Sequence, residues 1–158
     1  LLAALETLEN TRLIFTMPNA DTDGRVLIKM IDQFVAKHPN ARSYTSLGQL
    51  KYLSCVRHVD GVVGNSSSGL IEVPSLGKGT INIGDRQLGR LKAESVIDCE
   101  PTEESIKSAI EILYSNKFRS TLKSVLNPYG EGNATKKILE ILKNSPLPKE
   151  IKKEFHNL

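Results

Sequence analysis

Three hydroxyls in a row, Ser66, Ser67 and Ser68, stand between two apolar runs in GVVGNSSSGLIE (residues 61–72). Gly64 precedes them and Glu72 follows. Gly64 lets the chain turn sharply as it leaves a short apolar strand. Asn65, Ser66 and Ser67 then fall where a following helix would begin. Unpaired backbone N–H groups and the helix dipole favour an anion there, and serine hydroxyls add donors. One serine at such a place is also an ordinary helix cap, which accounts for one hydroxyl and not three. Glu72 is off the capping-box spacing from all three serines. It follows Ser66 by six positions, roughly 9 Å along a helix axis. A carboxylate there suits the vicinal diol of a ribose, or is simply a solvated surface group. Phosphate at the helix start and ribose farther along describe a nucleotide.

Two more loops carry unusual polar content. GDRQLGR (84–90) places Arg86 and Arg90 four apart after an apolar segment; arginine forks match a diphosphate, and arginines are also common on plain surface. MPNADTDG (17–24) offers Asn19 for an amide contact, with Asp21 and Asp23 as carboxylates. No second ligand cluster accompanies those aspartates, so no metal site is expected. Tyr52 is placed to stack a base or to sit half-buried in the core. His38 and His58 read as helix-end residues without a catalytic partner in the sequence. There is neither a G-x-G-x-x-G fingerprint nor a Walker loop.

The elements that must carry these residues alternate. A helical pattern in LLAALETLE leads to a strand at 12–17. Residues 25–38 form a helix offering Val26, Ile28, Met30, Ile31, Phe34 and Val35 to its buried face. A poor strand follows in ARSYTS, then a helix over 47–59 with Leu47, Leu50, Leu53 and Val56 in near-heptad spacing. Strands are expected at 60–64, 79–84 and 95–99, and a helix over 67–77 that ends or bends near Pro74. From Glu100 onward the pattern is helical, with Thr102, Glu103 and Glu104 opening one helix and 133–144 forming the last. Strand–helix alternation with short connections predicts an α/β fold, a Rossmann-like parallel sheet with helices on both faces. In such a sheet the three polar loops share the edge at the strands' carboxyl ends, where ligands bind. The domain is expected over 1–144, with 145–158 as an exposed tail.

Composition sets limits. The chain has 158 residues, enough for one full core, and a net charge of +3. With no Trp and 5% aromatics, nothing marks a nucleic-acid partner. No apolar run nears the roughly 20 residues that span a bilayer, and no leader pattern opens the chain. Cys55 and Cys99 lie far apart and read as reduced thiols of a cytoplasmic protein. The chain begins at Leu1, as a fragment of a longer protein would.

The run VVGNSSSGLIEVPSLGKGTINIGDRQLGR (62–90) resembles the signature region of the UDP-N-acetylglucosamine 2-epimerases, most closely their hydrolysing, NeuC-like branch. FTMPNADTDG and NPYGEGNATKKILEIL are similar to further segments of that branch, so the resemblance spans roughly residues 11–144. Two positions depart: the family often has Gly at Pro74 and Glu at Leu91. The resemblance implies the C-terminal half of a GT-B architecture, with this chain as its nucleotide-binding domain. It implies Ser66 and Ser67 on the diphosphate and Glu72 on the ribose, with Gly64 and Asn65 in the same loop. Arg86 would reach the phosphate or brace the loop, Asn19 would lie near the UDP, and Leu47 and Tyr52 would flank the uracil. Ser68 receives no contact and is expected to pack or face solvent. The catalytic carboxylates would lie upstream of Leu1, so no catalytic residue is expected here. A UDP-sugar substrate, the missing N-terminal domain and a homo-oligomer are the implied partners. No cofactor, metal, nucleic acid or membrane is implied. The same features also suit the donor domain of a GT-B glycosyltransferase or a non-catalytic nucleotide-sugar module.

Overall fold

The computed structural model describes residues 1–18 and 22–146. The strands are β1 (Leu13–Thr16), β2 (Ala41–Tyr44), β3 (Gly61–Gly64), β4 (Gly79–Ile83) and β5 (Val96–Cys99). The helices are α1 (Leu2–Glu6), α2 (Thr22–Lys37), α3 (Gly48–His58), α4 (Ser68–Ile71), α5 (Glu103–Tyr114), α6 (Asn116–Thr121) and α7 (Ala134–Asn144). All strand pairs are parallel, and helices cover both sides. The strands form two sheets, of order β1-β2 and β3-β4-β5, because no described strand bridges β1 and β3.

Side-chain alternation along β4 assigns the faces. Gly79 and Ile81 point to α5 and α6: a Cβ on Gly79 would stand 2.4 Å from Leu113 Cδ1 and 2.8 Å from the Phe118 ring. Its register partner Gly61 is equally tight, 2.7 Å from Leu113 Cδ2. Two glycines side by side thus let α5 settle close on the sheet. Thr80 points the opposite way, to α4, where its hydroxyl donates to Gly69 O at 2.8 Å. The main core joins Ala4 and Leu5 of α1, Phe34 of α2, Ala41, Ile81, and Ile106, Ala109, Ile110 and Leu113 of α5. Helices α1, α2 and α5 therefore share one side of the strands. Val56 of α3, Leu70 of α4 and Val73 are buried outside that cluster, on the other side.

Several local expectations need correction. Helix α2 starts at Thr22, and of its six expected buried residues only Phe34 is buried; Val26 and Met30 are 60% and 47% exposed. Helix α3 leaves Leu50 81% exposed. The helix expected over 67–77 is one α turn followed by a 3₁₀ turn over Val73–Leu76. Pro74 explains this, since its missing N–H and its ring cannot continue an α-helix. Helix α5 is as expected, with Thr102 Oγ1 accepting from Ser105 N at 3.3 Å. Helix α7 buries no residue. Asn19 and Asp21 lie outside the described residues, as does most of the expected tail, 147–158.

Candidate functional site

The chain leaves β3 at Gly64, whose φ of 152° and empty surroundings show that backbone conformation, not crowding, calls for glycine there. The expected serine cap is not formed: Ser66 precedes the N-cap, and its Oγ accepts from Ser68 N at 3.4 Å in a short local turn. Ser67 stands at the N-cap of α4 with helical φ and ψ, and its hydroxyl makes no cap bond. That hydroxyl has no partner among the described residues, and Ser67 is half-buried. Because α4 is only four residues long, its dipole is weak. Any cradle for an anion here relies on hydroxyls and loop N–H groups more than on the helix.

Ser68 corrects the expectation that it makes no contact. Its Oγ lies 2.7 Å from the Tyr52 hydroxyl, tying α3 to α4. Tyr52 is thereby fixed in orientation. Glu72 follows α4 at the break before the 3₁₀ turn, half-buried, with no partner for its carboxylate among the described residues. Glu72, Tyr52 and Leu47 line one open cleft of about 480 Å³ with Thr16 and Met17 from the end of β1, Ser46 from the turn after β2, and Gly48 and Gln49 from the start of α3. That volume lies within the roughly 300–1,000 Å³ of small-molecule sites. Three of the residues singled out in the sequence, Leu47 and Tyr52 from one segment and Glu72 from another, therefore share a cleft at the strands' carboxyl ends, whereas Gly64, Asn65, Ser66, Ser67 and Arg86 do not line it.

The loop after β4 folds onto the serine loop. Arg86 Nη1 donates to Asn65 Oδ1 at 3.4 Å and its head is otherwise exposed. Of its two expected roles, bracing the loop is the one the geometry shows. Arg90 is exposed at the end of the turn and meets no site residue among those described. Gln87 carries more of the connection and was not foreseen. It is 3% exposed, and its Nε2 donates to Asn65 O at 2.7 Å. Its only advance sign was a lone amide between glycines and arginines.

A second unforeseen group lies one strand over. Gly64, Asn82 and Asp98 stand in register across β3, β4 and β5. Asn82 Nδ2 donates to Asp98 Oδ1 at 2.7 Å, and Lys92 Nζ reaches both Asp98 oxygens at 2.8 Å. Burial alone would push the Asp98 carboxyl up; the bonds from Lys92 and Asn82 with the Lys92 charge outweigh it and hold it below its ordinary value. His38 is structural: it stacks on Phe34 at 3.9 Å and lies 3.4 Å from Glu6. Among the described residues no group of three His, Cys, Asp or Glu could hold a metal, and no helix is long and apolar enough to cross a membrane.

The family model described as UDP-N-acetylglucosamine 2-epimerase matches residues 1–143. The chain is 41% identical over 145 residues to the polysialic acid biosynthesis protein P7 of Escherichia coli, covering 91% of this chain and 37% of that protein. It is 39% identical over 160 residues to a GDP/UDP-N,N'-diacetylbacillosamine 2-epimerase (hydrolyzing) of Campylobacter jejuni, covering 100% of this chain and 41% of that one. Its fold matches a crystal structure of UDP-N-acetylglucosamine 2-epimerase with a TM-score of 0.69 at 18% identity, covering 99% of this chain and 42% of the other. It also matches the Neisseria meningitidis UDP-GlcNAc 2-epimerase bound to UDP-GlcNAc, with a TM-score of 0.63 at 18% identity, covering 90% and 47%. The chain thus spans about two fifths of the length of the relatives it matches.

Proposed function

The chain belongs to the UDP-N-acetylglucosamine 2-epimerase family, and from that premise we propose that it is the nucleotide-binding half of a hydrolysing epimerase acting on UDP-GlcNAc or a diacetamido analogue. The observation that carries this reading is the convergence of Glu72, Tyr52 and Leu47 on one cleft beside the serine loop. In the proposed reaction a carboxylate of the other half removes the C2 proton while the C1–O bond to UDP breaks, giving 2-acetamidoglucal. Water then adds across C1 and C2, with the proton entering the opposite face of C2, to give N-acetylmannosamine or its analogue and free UDP. General acid–base carboxylates would drive the C2 steps. The task left to this half is to hold the departing diphosphate with the Ser66 and Ser67 hydroxyls, loop N–H groups and Arg86, with Glu72 on the ribose diol. Reduced Cys55 and Cys99, both free thiols, suit a cytoplasmic enzyme.

Calorimetric titration of UDP into the full-length protein tests the site. Ser67→Ala and Glu72→Ala should each weaken binding by roughly tenfold or more, as expected for losing hydrogen bonds to or from a charged group. Unchanged affinity in both variants removes the assignment. Release of free N-acetylmannosamine without an acceptor sugar separates this reading from glycosyl transfer.

A further inference from the structure

The break that ends α4 leaves a carbonyl without a backbone donor. In a continuous helix Ile71 O would accept from Ser75 N, but Ser75 N donates to Glu72 O at 3.2 Å in the 3₁₀ turn. The tighter 3₁₀ partner of Ile71 O would be residue 74, and Pro74 has no N–H. The donor comes instead from Asn127, 56 positions away, whose Nδ2 lies 2.8 Å from Ile71 O. The same nitrogen donates to Ser75 Oγ at 2.6 Å. Glu72 lies between these two acceptors in the chain. Asn127 Oδ1 accepts from Tyr129 N at 2.9 Å, which fixes which way the amide faces. The Tyr129 hydroxyl donates to Leu91 O at 3.1 Å, just past the loop that carries Arg86 and Arg90. Apolar burial does little to hold this strap, since Leu126 is 78% exposed and Tyr129 42%. Hydrogen bonds place it, and they end on the stretches next to Glu72 and the arginine loop.

We propose that Asn127 is a positioning residue for the candidate nucleotide site: by bridging Ile71 O and Ser75 Oγ it holds the turn that aims Glu72 into the cleft. The inference rests on the functional reading above, in which Glu72 meets the ribose diol. The Glu72 carboxylate has no partner among the described residues, so its backbone decides where it points. Val73 and Pro74 are buried and fix the turn from the inside. Asn127 fixes it from the outside. Without the bridge the Ile71 carbonyl must turn to water, and the peptide between α4 and the 3₁₀ turn gains freedom to rotate. A displacement on the order of 1 Å is enough to spoil a two-bond contact between a carboxylate and a diol. Asn127 does not line the cleft, so it acts through Glu72 and not on the nucleotide itself.

Calorimetric titration of the full-length protein with UDP and with 2′,3′-dideoxy-UDP, which lacks the diol, tests this. Asn127→Leu keeps the size of the side chain and adds no charge. It should weaken UDP roughly threefold to tenfold and leave the dideoxy nucleotide within about twofold. A role confined to holding the fold would not discriminate between the two nucleotides. In a Glu72→Ala background the same change should alter UDP affinity by less than about twofold, because the contact it serves is already gone. Ser75→Ala removes one arm of the bridge and leaves the Tyr129 bonds in place. It should weaken UDP about threefold and spare the dideoxy nucleotide, and it carries the test if Asn127→Leu does not fold. Unchanged UDP affinity in Asn127→Leu, equal losses for both nucleotides, or losses that add to those of Glu72→Ala overturn the proposal. If Glu72→Ala itself leaves UDP affinity unchanged, the place of Glu72 on the ribose falls and this inference falls with it. If Glu72→Ala weakens UDP and Asn127→Leu does not, this inference falls alone.

Discussion

Strands β3, β4 and β5 and strands β1 and β2 are built from similar four- and five-residue runs, yet they are not equally finished. In the first group Thr80 and Asn82 are buried, with the Thr80 hydroxyl donating to Gly69 O and Asn82 Nδ2 to Asp98, while Asn82 Oδ1 has no partner among the described residues. In the second, Ile14 is 47% exposed and Tyr44 46%. The more polar strand is thus the more buried one. Burial of a short strand reports its neighbours in the sheet and not its own hydrophobicity. The first group also holds the serine loop, while the second supplies only the facing wall of the cleft through Thr16, Met17 and the turn after Tyr44.

The sharpest way to break that comparison is to overfill the finished side. Gly79→Val would force atoms into the 2.4 Å approach to Leu113. It is expected to destabilise the full-length protein by roughly 1–3 kcal/mol, whereas Ile14→Thr should stay within about 0.5 kcal/mol. Thermal unfolding measures both. Equal losses would show that the two groups are packed alike.

Next in size is the bolt between the loops. Gln87→Ala removes the buried donor to Asn65 O and should cost roughly 1–3 kcal/mol. Because Asn65 adjoins Ser66, the variant should also weaken UDP several-fold although Gln87 is given no contact with the nucleotide. A loss of stability with UDP affinity unchanged would confine Gln87 to holding the fold.

How much of this was legible before any coordinates depends on the distance over which each feature is decided. The cap and apolar stripe of α5 are local, and Ile106, Ala109, Ile110 and Leu113 are all buried. The serine loop was legible for the same reason, since strand end, glycine and hydroxyls are consecutive. The stripe of α2 was read correctly as apolar and wrongly as covered, because periodicity says which face is apolar and not what lies against it. Leu50 failed for that reason also. Gln87 reaching Asn65 and Tyr52 reaching Ser68 are settled by tertiary placement across 22 and 16 positions, and no local pattern encodes them.

The tie across α3 and α4 gives a smaller effect. Tyr52→Phe and Ser68→Ala each remove the same hydrogen bond and should cost about 0.5–1.5 kcal/mol. The double variant should cost no more than the larger single loss, as a shared interaction requires. Tyr52→Phe keeps the ring, so UDP affinity should hold if the ring stacks on the base. Additive losses would mean that the two hydroxyls act separately.

The smallest effect tests the outer stitch of the finished side through its pH dependence. Asp98 is held below its ordinary value of 3.8 because the Lys92 and Asn82 bonds outweigh the cost of burial. A carboxyl lowered on folding binds protons less readily in the folded chain than in the unfolded one. Its stabilisation is therefore complete above the ordinary value and disappears as pH falls through the lower folded value. Asp98 is half exposed, so the effect is that of a screened surface pair, below about 1 kcal/mol. Asp98→Asn should lower the unfolding midpoint at pH 7 by at most about 4 °C. An asparagine still accepts from Asn82, so the part lost is the Lys92 charge pair, and Lys92→Met should match it. Both differences should shrink toward zero in acid. A difference that persists there would mean that the loss comes from packing of the β4–β5 edge and not from the charge.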